Sequence, residues 1–186
     1  MKKVLIVVDI QKDFCPGGSL AVTKGDEIID GVNQIMPQYD LVVATQDYHP
    51  ANHSSFKSNS KSGIWVDHCV QGTEGAKFHP FLNTNQIDIV FPKGTNPQVD
   101  SYSGFFDNDK KSSTGLGEFL KKQGVTHVDV VGLALDYCVK ATALDAHQLG
   151  FKTRVLANLT KAVNLSKDDD FKALDELHEA GVTLVF

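Results

Sequence analysis

Six short apolar runs, rich in Val, Ile and Leu rather than strictly alternating with polar residues, most constrain what this chain can become. They lie at 4–8 (VLIVV), 41–44 (LVVA), 87–91 (IDIVF), 128–135 (VDVVGLAL), 153–157 (TRVLA) and 182–186 (VTLVF). A strand with one face in water carries a polar residue at every second position. A strand covered on both faces does not, and such strands belong to parallel sheets. Between the runs the period changes. Ile28, Ile29, Val32, Ile35 and Met36 recur at helical spacing within 26–37, and Val139, Ala143, Leu144 and Ala146 do so more weakly within 138–149. Near the end, Ser166 with Asp169 three residues later resembles a capping box, Phe171, Leu174 and Leu177 form the predicted buried stripe, and Gly181 ends the helix. Strands alternating with helices require crossover connections, which cover both faces of a largely parallel sheet. The expectation is an α/β fold: a three-layer sandwich of about six mostly parallel strands, helices on both faces, in a single domain over 1–186. A chain of 186 residues buries a core of that size without staples.

Several function classes fall away on charge and composition. A net charge of −5 speaks against a nucleic-acid or anionic-membrane partner, which would need a basic face. No segment approaches the roughly 20 apolar residues of a membrane span. The opening MKKVLIVVDIQKDF pairs two lysines with an apolar run, but Asp9 breaks that run and no small-residue cleavage site follows, so it reads as a strand. Cys15, Cys69 and Cys138 are odd in number and lack CxxC spacing, which suggests neither a disulfide framework nor a zinc ribbon. The expected compartment is a reducing cytoplasm, where a free thiol persists.

The stretch 46–82 has no sustained period, yet it holds His49, His53, His68, His79 and the only tryptophan, Trp65. A loop that long in a compact fold is usually functional or disordered, and its aromatic content argues against disorder.

In an open parallel sheet, ligands bind beyond the carboxyl ends of the strands. The predicted strand ends deliver Asp9, then Asp47 and His49, then Lys93, then Cys138 to that edge. Taken singly each has an ordinary role: a buried packing thiol, a turn-capping aspartate, a solvated lysine. Together they have matched chemistry. A thiol in the first turn of a helix feels the positive end of the dipole, which favours the thiolate, and a nearby Lys93 acts in the same direction, so Cys138 is expected to be the nucleophile. Neighbouring amides free at the helix start suit a developing oxyanion. Asp9 beside a thiol becomes a general base. Asp47, His49 and His68 offer one oxygen and two nitrogens, a set for Zn, Mn or Fe with open positions. His53 is either a fourth ligand or a partner behind the ligands. Cys15 and Cys69 read as packing residues.

These segments carry a likeness. VDIQKDFCPGGSL (8–20), TQDYHPANHSSF (45–56), WVDHCVQGTEGAKFHP (65–80), KGTNPQVDSYSGF (93–105) and GLALDYCVKATALDA (132–146) occur in family order over nearly the whole chain. The chain resembles the nicotinamidase/pyrazinamidase branch of the isochorismatase-like cysteine hydrolases. The resemblance implies the isochorismatase-like fold, an Asp9–Lys93–Cys138 triad, and one divalent metal on Asp47, His49 and His68, zinc first, with iron and manganese as alternatives. It also implies a cis peptide at Leu133–Ala134 that turns the Ala134 amide toward the oxyanion beside that of Cys138, and a ring pocket of Phe14, Trp65, Tyr102 and Tyr137. The implied reaction is hydrolysis of nicotinamide to nicotinate and ammonia, with pyrazinamide as a further substrate and self-association left open. One departure is Leu135, where many members carry Thr; it is expected to alter packing rather than chemistry. The rivals are another cysteine amidase of this fold, of the ureido-amide type, for which the metal set would be idle, and a non-catalytic metal-binding module on the same scaffold.

Overall fold

The computed structural model describes residues 2–186. Its six strands are β1 (Lys3–Val8), β2 (Leu41–Asp47), β3 (Ile89–Lys93), β4 (His127–Leu133), β5 (Lys152–Lys161) and β6 (Thr183–Val185). They form one sheet in the order β3-β2-β1-β4-β5-β6, and every neighbouring pair is parallel. The strand of 87–91 sits two residues later than its apolar run suggested: Ile87 and Asp88 stay outside, and Lys93 closes it.

Four α-helices connect the strands: α1 (Ile29–Ile35), α2 (Leu116–Lys122), α3 (Lys140–Gln148) and α4 (Asp169–Glu179). The helical span expected at 26–37 is composite, with 3-10 turns at Gly25–Ile28 and Met36–Gln38 flanking α1. The period of two in the central strands sorts their side chains into two cores. Val4, Ile6, Val8, Val128 and Val130 face α2, α3 and α4, where they meet Leu120, Ala143 and Leu177. Leu5, Val7, Val42, Ala44 and Val131 face α1, where they meet Ile29 and Val32. Burial on both faces is why these strands read as continuous apolar runs, and it gives the three layers expected.

Two expectations at the helices fail. Phe171 is 64% exposed, whereas Leu177 is buried and Leu174 partly buried against the core as expected, with Ala173 buried beside them. Three-residue steps turn back by about 60° each on a helix, so 171, 174 and 177 drift around it while 173 and 177 share one line. The predicted capping box is half formed: the Asp169 carboxylate accepts from the Ser166 N–H at 2.8 Å, but the Ser166 hydroxyl caps nothing. Gly181, at φ 95°, follows the helix as expected.

The sheet order reverses between β1 and β4, whose connections leave in opposite directions. A crevice opens there at the carboxyl ends, where open α/β sheets bind their ligands. Asp9 follows β1 directly, and the turn after β4 carries Cys138.

Candidate active site

β1 ends abruptly because Asp9 adopts φ 47°, a left-handed conformation strained for any residue with a side chain. The turn swings its carboxylate under the crevice, fully buried. The pairing of β2 with β3 sets Asp47 opposite Lys93. After β4 comes a cis peptide at Leu133–Ala134, then a π-helical turn, Leu135–Val139, that carries Cys138.

Lys93 ties these groups together. Its Nζ donates to Asp47 Oδ1 at 2.6 Å, to the Ser101 carbonyl at 3.0 Å and to Cys138 Sγ at 3.4 Å. It also lies 2.8 Å from Asp9 Oδ2, but off the angle of a hydrogen bond, so among the described residues that buried oxygen has no donor. The other oxygen, Oδ1, accepts from the Thr45 hydroxyl at 2.7 Å. Asp9, Asp47 and Cys138 each bring an atom within 4.8 Å of the others.

Burial sets the charges. It raises Asp9 against the pull of Lys93, with neighbouring Asp47 adding to the rise. It would raise Asp47 too, but Lys93 and His49 together hold that carboxyl well below the usual range. For Lys93, burial is outweighed by Asp47 and Asp9, which keep the ammonium charged. Burial pushes the Cys138 thiol well above the ordinary value, Lys93 opposes this, and Asp9 and Asp47 reinforce it. Cys138 lies in a π-helical turn that runs directly into α3, so it still sits at a helix start, while enclosure beside two carboxylates works against the charged form.

The other half of the site lies on the far side of the Asp47 carboxylate. His49 Nε2 is 3.2 Å and His68 Nε2 is 3.6 Å from Asp47 Oδ2. Their Nδ1 atoms meet carbonyls, Gly94 at 2.8 Å and Val66 at 2.7 Å, and so take the donor role. Two Nε2 lone pairs are thereby aimed at a carboxylate, which is stable only with a cation among them. The same electrostatics draws a proton in place of a metal: Asp47 raises His49 against burial. A divalent ion fits this donor set. Gly94 is required for the arrangement, since at φ 66° a Cβ there would sit 2.3 Å from His49 Cε1. His53 stacks on His49 with ring centroids 4.2 Å apart. Its Nδ1 meets Ser55 Oγ at 2.7 Å and its Nε2 the Val99 carbonyl at 3.2 Å, so the ring backs the set rather than completing it.

A small pocket opens over both groups, and its wall includes Asp47, His68, Ala134 and Cys138. All four aromatics expected there line it. The rings of Trp65 and Tyr137 meet edge-on at 4.9 Å, Trp65 Nε1 donates to Tyr102 Oη at 3.2 Å, and Phe14 lies 5.6 Å from His68. Among the described residues the Ala134 N–H has no partner.

An isochorismatase domain spans residues 3–185. The chain belongs to the isochorismatase family. It is 43% identical to the nicotinamidase of Escherichia coli (strain K12), over 98% of this chain and 93% of that protein. PnC1 of L. infantum, solved in complex with nicotinate, superposes with a TM-score of 0.94 at 43% identity, covering 99% of this chain and 92% of that one. The pyrazinamidase of Pyrococcus horikoshii, solved in complex with zinc, gives 0.88 at 39%, covering 100% and 99%.

Within this isochorismatase-family fold several contributors had escaped the sequence reading. Thr142 accepts from the Gly104 N–H at 2.9 Å and donates to the Cys138 carbonyl at 2.6 Å, joining the cysteine turn to the segment that receives Lys93. Buried Asp136 accepts from the amides of Val163 and Asn164, both at 2.9 Å, fixing one wall of the pocket. Asp100 and Leu20 line the pocket as well. Leu135 packs in the core beside Val139. Cys15 and Cys69 are wholly buried, as packing residues should be.

Proposed function

We propose that this protein is a metal-dependent cysteine amidohydrolase that converts nicotinamide to nicotinate and ammonia in NAD salvage, and that accepts pyrazinamide. The observation that carries the reading is the meeting of Asp9, Lys93 and Cys138 under an aromatic pocket whose wall also presents Asp47 and His68. The likeness to nicotinamidases and pyrazinamidases over nearly the full length supports it. The convergence of Asp47, His49 and His68 favours it over a ureido-amide hydrolase, for which that set would have no use.

In this mechanism Phe14, Trp65, Tyr102 and Tyr137 hold the flat ring and bring its carboxamide to Cys138. Asp9, whose Oδ2 lacks a donor, takes the thiol proton. Lys93, 3.4 Å from the sulfur, balances the thiolate. The thiolate attacks the amide carbon, and the charge that develops on oxygen is met by the Ala134 and Cys138 amides, worth about 3–4 kcal/mol per donor in comparable sites. Asp9 returns its proton to the departing nitrogen, ammonia leaves, and a thioester remains. Asp9 then takes a proton from water as it attacks the thioester, and nicotinate is released with the thiol restored. When bound, a divalent ion on Asp47, His49 and His68, zinc in this proposal, would supply a Lewis-acid anchor for the ring nitrogen. Two cores against one sheet support reading residues 1–186 as one hydrolase domain. A thiol nucleophile among three unpaired cysteines suits a reducing compartment, here the cytoplasm.

The test is ammonia release from nicotinamide by zinc-loaded protein, before and after chelation. Turnover is expected with nicotinamide and with pyrazinamide, lost on chelation and recovered with zinc. Absence of ammonia from either amide refutes the proposal.

A further inference from the structure

The strained turn that delivers Asp9 leaves a gap in the sheet, and one side chain fills it. β1 and β2 pair in parallel up to Val8 and Thr45, and the Asp9 N–H still reaches the Thr45 carbonyl at 3.3 Å. Had β1 continued, its next peptide groups would have bonded the N–H and carbonyl of Asp47. They do not, because the chain turns at Asp9 and the Gln11 N–H folds back onto the Asp9 carbonyl at 2.8 Å. Asp47, the last residue of β2, would be left with two buried, unpaired backbone groups at the position where its carboxylate must be fixed.

The Gln11 carboxamide stands in for the missing peptide. Its Oε1 accepts from the Asp47 N–H at 2.8 Å, and its Nε2 donates to the Asp47 carbonyl at 2.7 Å. The second Nε2 proton goes to the Ala76 carbonyl at 2.8 Å, which ties the strand end to the loop after His68. Gln11 is wholly buried, and its three bonds span 36 and 65 residues of sequence. Only a carboxamide of this length meets the demand. Glutamate has no donor and would add a third carboxylate near Asp9 and Asp47, while methionine fills the space without any hydrogen bond.

We infer that Gln11 is a positioning residue for the reaction: it locks the backbone of Asp47, so that one carboxylate faces Lys93 with Oδ1 and the two histidines with Oδ2. The inference rests on the proposed metal site, but not on the identity of the amide substrate. It also explains how the chain tolerates a left-handed Asp9, since the group that repairs the sheet lies two residues further on.

The test compares Gln11→Glu and Gln11→Met with the parent by zinc affinity in a chromophoric-chelator competition, by kcat and KM for nicotinamide, and by thermal melting. Gln46→Ala is the control, because the Gln46 side chain also donates to the Ala76 carbonyl, at 2.9 Å, but makes no hydrogen bond to Asp47 among the described residues. Both Gln11 variants should lose about 10- to 100-fold in zinc affinity and fall in kcat, whereas Gln46→Ala keeps parental values of both. Gln11→Glu matches the parent in shape and carries the test should Gln11→Met not fold. A folded Gln11→Glu that binds zinc within twofold of the parent overturns the inference. So does a Gln46→Ala that loses as much as the Gln11 variants, since the effect would then be general loosening of the loop. Parent protein that binds zinc but releases no ammonia defeats the amidase reading while the zinc comparison still decides the role of Gln11.

Discussion

Cys138 shows how far a residue's neighbours decide its chemistry. Its sulfur sits 3.4 Å from an ammonium, which by itself would favour the thiolate, yet burial and two neighbouring carboxylates push the thiol's pKa upward. In the proposed mechanism the thiol proton passes to Asp9, itself raised by burial and lacking a donor on Oδ2. Such a pair acts as a unit, so removing either member should cost nearly as much as removing both. Cys138→Ala is expected to lower kcat by at least about 1,000-fold, with zinc affinity and nicotinate binding kept within about threefold. Stopped-flow ammonia release and equilibrium titration measure the two. Substantial turnover by the alanine variant would remove the nucleophile from the scheme. Asp9, Asp47, His49, His68, Lys93 and Cys138 were legible in the sequence because each lies at or just beyond a strand end or in a distinctive motif. Gln11, Thr142 and Asp136 were not, because each acts by bonding a peptide group whose place only the fold determines.

At the scale of elements, the strands were more legible than the helices. A strand covered on both faces announces itself as an apolar run whatever its exact bounds, whereas a helix must also be assigned a phase. In α4 the three-residue spacing marked the right segment and two of its packing residues, Leu174 and Leu177, but placed Phe171 on the buried side when it is exposed. The cysteine segment opens a helix, as its position predicts, but that first turn is π-helical and runs into α3, a distinction that apolar periodicity does not encode. The phase in α4 has a measurable consequence. Leu177 is wholly buried against α3 and the sheet, so Leu177→Ala should cost about 2–5 kcal/mol. Phe171→Lys, on the exposed side of the same helix, should stay within about 0.5 kcal/mol of the parent. Urea unfolding of the two variants measures both values, and a large loss at 171 with a small one at 177 would reverse the assigned face.

For the molecule as a whole, the sheet order places every reacting group at one crevice while the two cores lie behind it. The loop of 46–82 has little regular structure to hold it in place. It is fixed by side-chain and backbone bonds that gather around the histidines: the His49 N–H to the Cys69 carbonyl at 3.0 Å, the Cys69 N–H to Asp13 Oδ2 at 2.8 Å, and His49 Nδ1 to Gly94 at 2.8 Å. A cation bound by Asp47, His49 and His68, as proposed, would join the end of β2 to two points of that loop, and these ligands come together only in the folded chain. Binding free energy then adds to folding free energy. At 100 times its dissociation constant, zinc should add about 2.7 kcal/mol of stability. For a chain of this size that raises Tm by about 5–10 °C, with reversal by chelator. The variant His68→Ala, lacking one nitrogen donor, should show only a small part of the shift. A parent melting curve that zinc and chelator leave in place would mean that the three side chains bind no ion, and that the loop is held by its hydrogen bonds alone.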